Sequence, residues 1–293
     1  MTSPSAPHGQ KDYFIPDPSP WPITAMIAVL SMLAGTALTI NKVSFGPWMI
    51  AGGFVLLAVM FYGWFSDVIK ESMSDRYNAQ VDRSFRQGMF WFIASEVFFF
   101  LSFFGALWYI RNVALLWLGG GGYLGESHDL LWSQFDAMWP TAGPKDLGGE
   151  FEPMAPWGVP ALNTLILLTS GATITWAHWG LKVGSNTQLV RGLAATIALG
   201  FLFVILQAWE YTHAYHELNL TLGSGVYGST FYMLTGFHGF HVTMGAVMLS
   251  VILVRAAKRH FTPHNHFAFE AVAWYWHFVD VVWLGLFIFV YWL

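Results

Sequence analysis

The last apolar stretch of the chain, FAFEAVAWYWHFVDVVWLGLFIFVYWL from Phe267 to Leu293, carries Glu270, His277 and Asp280 among aromatic and branched apolar residues. A continuous apolar run of more than about 20 residues is long enough to cross a bilayer as a helix, and an ionisable group at bilayer depth costs on the order of 2.5 to 3.5 kcal/mol. Such groups must therefore face protein, water or a partner. At about 100° per residue, Glu270 and His277 fall almost in line and Asp280 lies within a quarter turn, so the three form one polar stripe on one helix face.

Six further stretches impose the same constraint. Hydropathy places spans at about Trp21 to Ile40, Pro47 to Phe65, Gly88 to Ile110, Val159 to Leu181, Leu189 to Trp209, Gly228 to Val254, and Phe267 to Leu293. Backbone polar groups in lipid need internal partners, so each span is expected to be helical and the fold class is an all-α, seven-span membrane protein. Only 10% of the residues are charged, against about 25% in soluble domains. The expected organisation is a polar tail over 1–20, helices 1 and 2 over 21–68, a connection over 69–87, and helices 3 to 7 over 88–293. The tail lacks the basic start and apolar core of a signal peptide, so it is expected to be retained.

The basic residues set the orientation. Lys11, Lys70, Arg76, Arg83, Arg86, Lys182, Arg191, Arg255, Lys258 and Arg259 fall on the side of the N-terminus, while Lys42, Arg111 and Lys145 fall on the other. Ten against three places the N-terminus in the cytoplasm and the C-terminus outside. The long connection over 119–158 is then external and acidic, with Glu126, Asp129, Asp136, Asp146, Glu150 and Glu152 against Lys145. It is expected to be a solvated loop with a small fold of its own, the other reading being a docking surface for a basic partner.

Several classes of chemistry are excluded. Without cysteine the chain has no disulfide, iron–sulfur ligand, thiolate zinc site or cysteine nucleophile, which leaves 11 histidines and the carboxylates as metal ligands. None of the seven spans contains lysine, which excludes a retinal Schiff base. Phosphate-binding GxxxxGK[ST] and metalloprotease HExxH motifs are missing too, and a net charge of −4 gives no reason to expect nucleic acid. No repeat suggests an inverted-repeat transporter.

Glu96 is the most telling single position. It lies between FIAS and VFFFLSFF, with no basic residue within a helical turn. A carboxyl there favours its neutral form unless another helix supplies a partner. Two readings stay open: a proton-exchanging, carbodiimide-reactive site, or a neutral acid donating one hydrogen bond between helices. His238 and His241, in GFHGFHV, lie three residues apart; buried packing histidines are favoured over a metal or haem site. Glu210, His213, His216 and Glu217, in WEYTHAYHE, are read as a solvated helix end rather than a zinc site, and His178 in TWAHW as structural. Lys70, Arg255, Lys258 and His260 border the cytoplasmic interface near Trp64 and Phe261, where lipid phosphates are expected to bind.

The segments WFSDVIKES (64–72), SEV (95–97), LNTLILLTSG (162–171), TWAHWGL (175–181), QAWEYTHA (207–214), VYGSTFYMLTGFHGFHV (226–242) and HFTPHNHFAFEAVAWYWHFVDVVWL (260–284) follow one another through nearly the whole membrane portion. In this order they resemble subunit III of aa3-type cytochrome c oxidase. The resemblance implies a subunit without catalytic redox centres and without a metal of its own. Subunits I and II would hold haem a, haem a3 and copper, and cytochrome c would be reached through the complex. It also implies a two-helix and a five-helix bundle forming a V whose cleft holds structural phospholipids. Glu96 would be the family's carbodiimide-reactive glutamate. Lys70, Arg255, Lys258 and His260 would be its lipid rim, and His238, His241, Glu270, His277 and Asp280 buried polar residues of the bundle. The implied role is to sustain oxygen reduction coupled to proton pumping, by supporting proton uptake into subunit I and preventing turnover inactivation.

The chain departs from the family pattern in a longer, more acidic loop between helices 3 and 4 and in Phe65, where tryptophan is common. Subunit III of a quinol oxidase shares the HFVDVVW ending but commonly lacks the first two helices, which favours the cytochrome c branch. An independent proton-coupled transporter using Glu96, His238, His277 and Asp280 is the reading from another class. The N-terminal extension and the long loop point to a bacterial plasma membrane, with a small accessory subunit or supercomplex partners as further contacts.

Overall fold

A computed structural model describes residues 16–74, 76–144 and 149–292. Most of the polar tail, and Lys11, Lys145, Asp146 and Leu293 of the sequence pattern, lie outside the described residues. Seven long helices carry the fold, and no strand occurs among the described residues. They are α1 (Trp21–Ile40), α2 (Gly46–Met73), α3 (Ala79–Leu118), α5 (Val159–Lys182), α6 (Asn186–His216), α7 (Gly225–Ala257) and α8 (Phe267–Trp292), with a short α4 (Glu126–Leu131) in the long loop. Each of the seven is long and apolar enough to cross a membrane, as expected.

Several helices outrun their apolar spans. α2 continues through SDVIKESM and α3 begins at Ala79. The extra turns are polar, but they lack proline and are tied by pairs one turn apart, Lys70–Asp67 at 3.0 Å and Arg86–Asp82 at 2.8 Å. Hydropathy reports where lipid begins, whereas the backbone ladder stops only where its hydrogen bonds do.

The chain divides into two compact units, Met1–Gln87 and Gly88–Leu293. In the first, α1 and α2 form a hairpin whose buried residues are small apart from Met60. Ala28 and Gly35 on α1, with Gly46 and Gly53 on α2, are buried, and small residues let membrane helices approach closely. Trp21, at the start of α1, donates its indole N–H to Asp67 near the end of α2 at 2.9 Å.

In the second unit α5, α6, α7 and α8 close a ring in which each helix packs on the next and α8 returns to α5. Its centre holds Trp276, Trp283, Phe203 and Phe231, all almost wholly buried. The long loop is less independent than expected, because it is laid onto the ring. The carbonyls of Thr141 and Ala142 accept the Tyr227 and Val226 amides at 3.2 and 3.3 Å. These amides belong to the first turn of α7, where no intrahelical acceptor exists. Phe151 stacks on Tyr227 with ring centroids 5.3 Å apart. Gly225 permits this closure: its φ is +64°, and a side chain there would strike the Ala142 carbonyl.

Candidate functional site

Glu96 stands midway along α3 and meets a partner from α7: its Oε2 lies 3.0 Å from Nε2 of His241. The other ring nitrogen, Nδ1, is 2.6 Å from the Phe237 carbonyl of its own helix. A carbonyl only accepts, so Nδ1 holds a hydrogen and Nε2 is the variable site. Either a protonated Glu96 donates to a neutral imidazole, or an imidazolium donates to a carboxylate. One proton is thus held between two groups and can change owner without leaving the pair. Phe100 packs edge-on against the His241 ring at 5.0 Å, Phe99 lies at 5.9 Å, and Tyr275 donates its hydroxyl to the His241 carbonyl at 3.3 Å. The Glu96 side chain keeps 22% of its surface exposed, so the pair has an open edge.

His238 turns elsewhere. Its Nε2 lies 3.2 Å from the Val279 carbonyl of α8, and its fully buried ring sits between Phe203 and Trp283. Although three residues apart, His238 and His241 serve different neighbours and do not converge on a common ligand.

The structure places Glu270, His277 and Asp280 against α5, in antiparallel order. Glu270 Oε1 lies 3.6 Å from His178 Nε2, and His277 Nε2 lies 3.4 Å from the Thr175 hydroxyl. Asp280 sits against Gly171, where a Cβ would meet Asp280 Oδ2 at 2.5 Å. Two tryptophans on α8 extend the series: Trp276 donates to Ser170 and Trp283 to Thr164, each at 2.9 Å. Asp280 and His277, 4.0 Å apart, border a recess of about 520 Å³ together with Leu168, Thr175 and Trp179. At the start of α8, His266 Nε2 lies 3.3 Å from Glu270 Oε1, completing a group of two imidazoles and one carboxylate whose ligand atoms fall within 4.8 Å of one another.

The WEYTHAYHE segment divides where a uniformly solvated end was expected. Glu210 is 1% exposed and accepts the Tyr291 hydroxyl at 2.7 Å, so that expectation is corrected for this residue. His213 and Glu217 do form an outlying pair at 2.9 Å. The aromatic end of α8 folds over Glu210, a contact 81 residues distant in sequence that no local pattern announces.

The basic residues of the expected lipid rim fall in both units. Lys70 belongs to the first and is paired with Asp67. That unit also has a pocket of about 470 Å³ lined by Trp21, Trp64, Asp67, Lys70 and Arg76, with Arg76 bonded to Asp17 at 2.7 Å. In the second unit, Arg255 is 8% exposed and lies over the Phe261 ring at 4.7 Å. Lys258 caps the end of α7, and the His260 amide bonds to the Arg255 carbonyl at 3.0 Å. Burial, with Arg255 and Lys258 as positive neighbours, holds the His260 imidazole below the ordinary histidine range.

Comparison with known proteins matches the sequence to a family. The family model described as cytochrome c oxidase subunit III matches residues 11–120 and 129–293, passing over 121–128 in the long loop. The chain is 42% identical over 286 residues to cytochrome c oxidase subunit 3 of Carassius auratus, of Cyprinus carpio and of Oncorhynchus mykiss. Each alignment covers 97% of this chain and 98% of the relative.

Proposed function

The chain belongs to the cytochrome c oxidase subunit III family, and from that premise we propose that it is the non-redox core subunit III of an aa3-type oxidase in aerobic electron transport. In this reading it docks on subunit I, with subunit II and cytochrome c completing the path of electrons to haem a, haem a3 and copper. The single structural observation that carries its role is the Glu96–His241 pair. A carboxyl and an imidazole sharing one proton, with an edge open to the outside of the unit, can take up and release that proton with little rearrangement. This suits support of proton uptake by a neighbouring catalytic subunit.

Lipid completes the proposal. The outward faces of α1 and α2 are apolar, and Arg255, Lys258 and His260 gather at one end of the ring with exposed positive charge on Lys258. Within the first unit, Lys70 is a separate candidate for lipid phosphate, although Asp67 already neutralises part of its charge. The ten-to-three basic asymmetry supports a cytoplasmic N-terminus. The segment 121–128, which the family model passes over, marks an extension of the long loop.

The test is to purify the complex that accompanies a tagged chain, record its reduced-minus-oxidised spectrum, and follow oxygen uptake with reduced cytochrome c. Haem a bands with cytochrome c oxidation are expected. Oxidation of quinol alone would move the chain to the quinol branch. A haem-free monomer that carries a pH-driven flux in liposomes would replace the proposal with a transporter.

A further inference from the structure

Where α8 begins, side chains from two elements turn toward one point. His266 immediately precedes the helix, Glu270 lies one turn inside it, and His178 sits near the end of α5. The carboxylate oxygen Oε1 is 3.3 Å from His266 Nε2 and 3.6 Å from His178 Nε2. Ligand atoms held tetrahedrally by zinc at about 2.0–2.1 Å stand about 3.3–3.4 Å from one another. Two of the three spacings are therefore already close to those of a coordination shell.

Hydrogen bonding prepares one imidazole for the task. Nδ1 of His266 lies 3.0 Å from the Thr262 carbonyl, so Nδ1 carries the hydrogen and the Nε2 lone pair faces inward. An imidazole whose outer N–H is anchored on a backbone carbonyl is the usual setting of a metal-ligating histidine. The Nε2 atoms of His178 and His266 are both shut off from solvent, and neither has a hydrogen-bond partner. Phe269, 5.3 Å from the His178 ring, walls the group on one side.

We infer that His178, His266 and Glu270 form a binding site for a divalent transition-metal cation of the zinc class. Two imidazole nitrogens and one carboxylate oxygen suit that class, whereas calcium and magnesium favour oxygen-rich shells. A fourth position stays open to water. The cation would tie the connection leading into α8 to the end of α5. The site is separate from the Glu96–His241 pair and does not rest on the oxidase reading. Without a metal, the same geometry leaves both imidazoles beside the Glu270 carboxylate as an ion-pair contact alone.

The experiment uses the full-length protein in its native complex, treated with a mild chelator and dialysed against zinc alone. Bound zinc is counted by mass spectrometry for the wild type, His266→Ala, Glu270→Gln and, as a remote control, His213→Ala. The wild type and the control are expected to hold one more zinc than the other two variants. The dissociation constant of His266→Ala should rise by more than about 10-fold, the smallest loss usual when merely an outer-shell partner of a ligand is removed. The zinc-edge X-ray absorption of the wild type should show two imidazole nitrogens and oxygen in the first shell, which decides the matter even if a variant fails to assemble. Equal zinc counts in assembled wild type and variants, or an edge spectrum without two imidazoles, overturns the site and leaves the ion pair.

Discussion

The α1–α2 hairpin and the α5–α8 ring are both built from helices apolar enough to cross a membrane, yet they bury themselves in different ways. Only 11% of the most apolar stretch of α1 or α2 is buried, against 50% for α8. The hairpin closes on glycine and alanine and turns Leu30, Leu33, Val55 and Tyr62 outward. The ring closes on tryptophans whose indole N–H groups reach hydroxyls across the interface. Close packing of small residues orders two helices against each other but leaves most of their remaining apolar surface uncovered. A ring with internal hydrogen bonds buries a larger share of its apolar surface within itself, 33% to 50% of each helix's most apolar stretch.

The contrast breaks most sharply at two glycines. Gly171→Leu in α5 should displace Asp280 and cost about 1–3 kcal/mol, the usual penalty of overpacking. Gly52→Leu in α2, where nothing lies within 4 Å, should leave stability unchanged. Thermal unfolding of the two variants in detergent checks this, and equal losses would mean that the hairpin is packed as tightly as the ring.

Removing lipid should separate the regions next. Amide exchange in α1 and α2 is expected to quicken about 10-fold or more, which corresponds to about 1.4 kcal/mol of local stability, while the buried turns of α8 stay protected. Mass-spectrometric hydrogen exchange before and after delipidation reads both at once; uniform quickening would erase the distinction.

Glu96→Gln sharpens the role of a polar pair inside the second unit. The amide can still bond to His241 but cannot exchange a proton, so carbodiimide labelling at this position should vanish while assembly persists. Oxygen reduction by the complex should fall less than tenfold, below about 1.4 kcal/mol of barrier. A loss as large as that from removing a haem ligand would make Glu96 catalytic.

The smallest effect concerns His260. Its imidazole resists protonation in the folded protein, so its contribution is fully present above the ordinary histidine value of about 6.5 and is lost as pH falls through the lower folded value. His260→Gln should flatten that acid limb in pH-dependent unfolding. Anionic lipid bound at the Arg255–Lys258 end should raise the His260 titration, whereas an unchanged titration would count against lipid phosphate there.

Much of the fold was legible in the sequence because lipid enforces it. Seven apolar runs become seven helices, since no other structure satisfies their backbone groups. The isolation of Glu96 was also legible, but its partner was not: His241 lies 145 residues away, and hydropathy reads one helix at a time. Glu210 shows the same limit. Its segment is polar enough to be taken for a solvated end, and only the fold of α8 reveals that Tyr291 covers it. The spacing of His238 and His241 fixed their relation along one helix without specifying that Val279 and Glu96 would draw them to different neighbours.

The contacts running from His178 and Glu270 through Ser170 and Trp276 to Thr164 and Trp283 act like the teeth of a key. A slip of α8 by one turn, about 5.4 Å, would misalign all of them together. The vertical position of α8 is thereby referenced to α5 rather than to the water boundaries of its own apolar segment. A bilayer somewhat thinner or thicker than usual would have to deform around α5 and α8 as a single block.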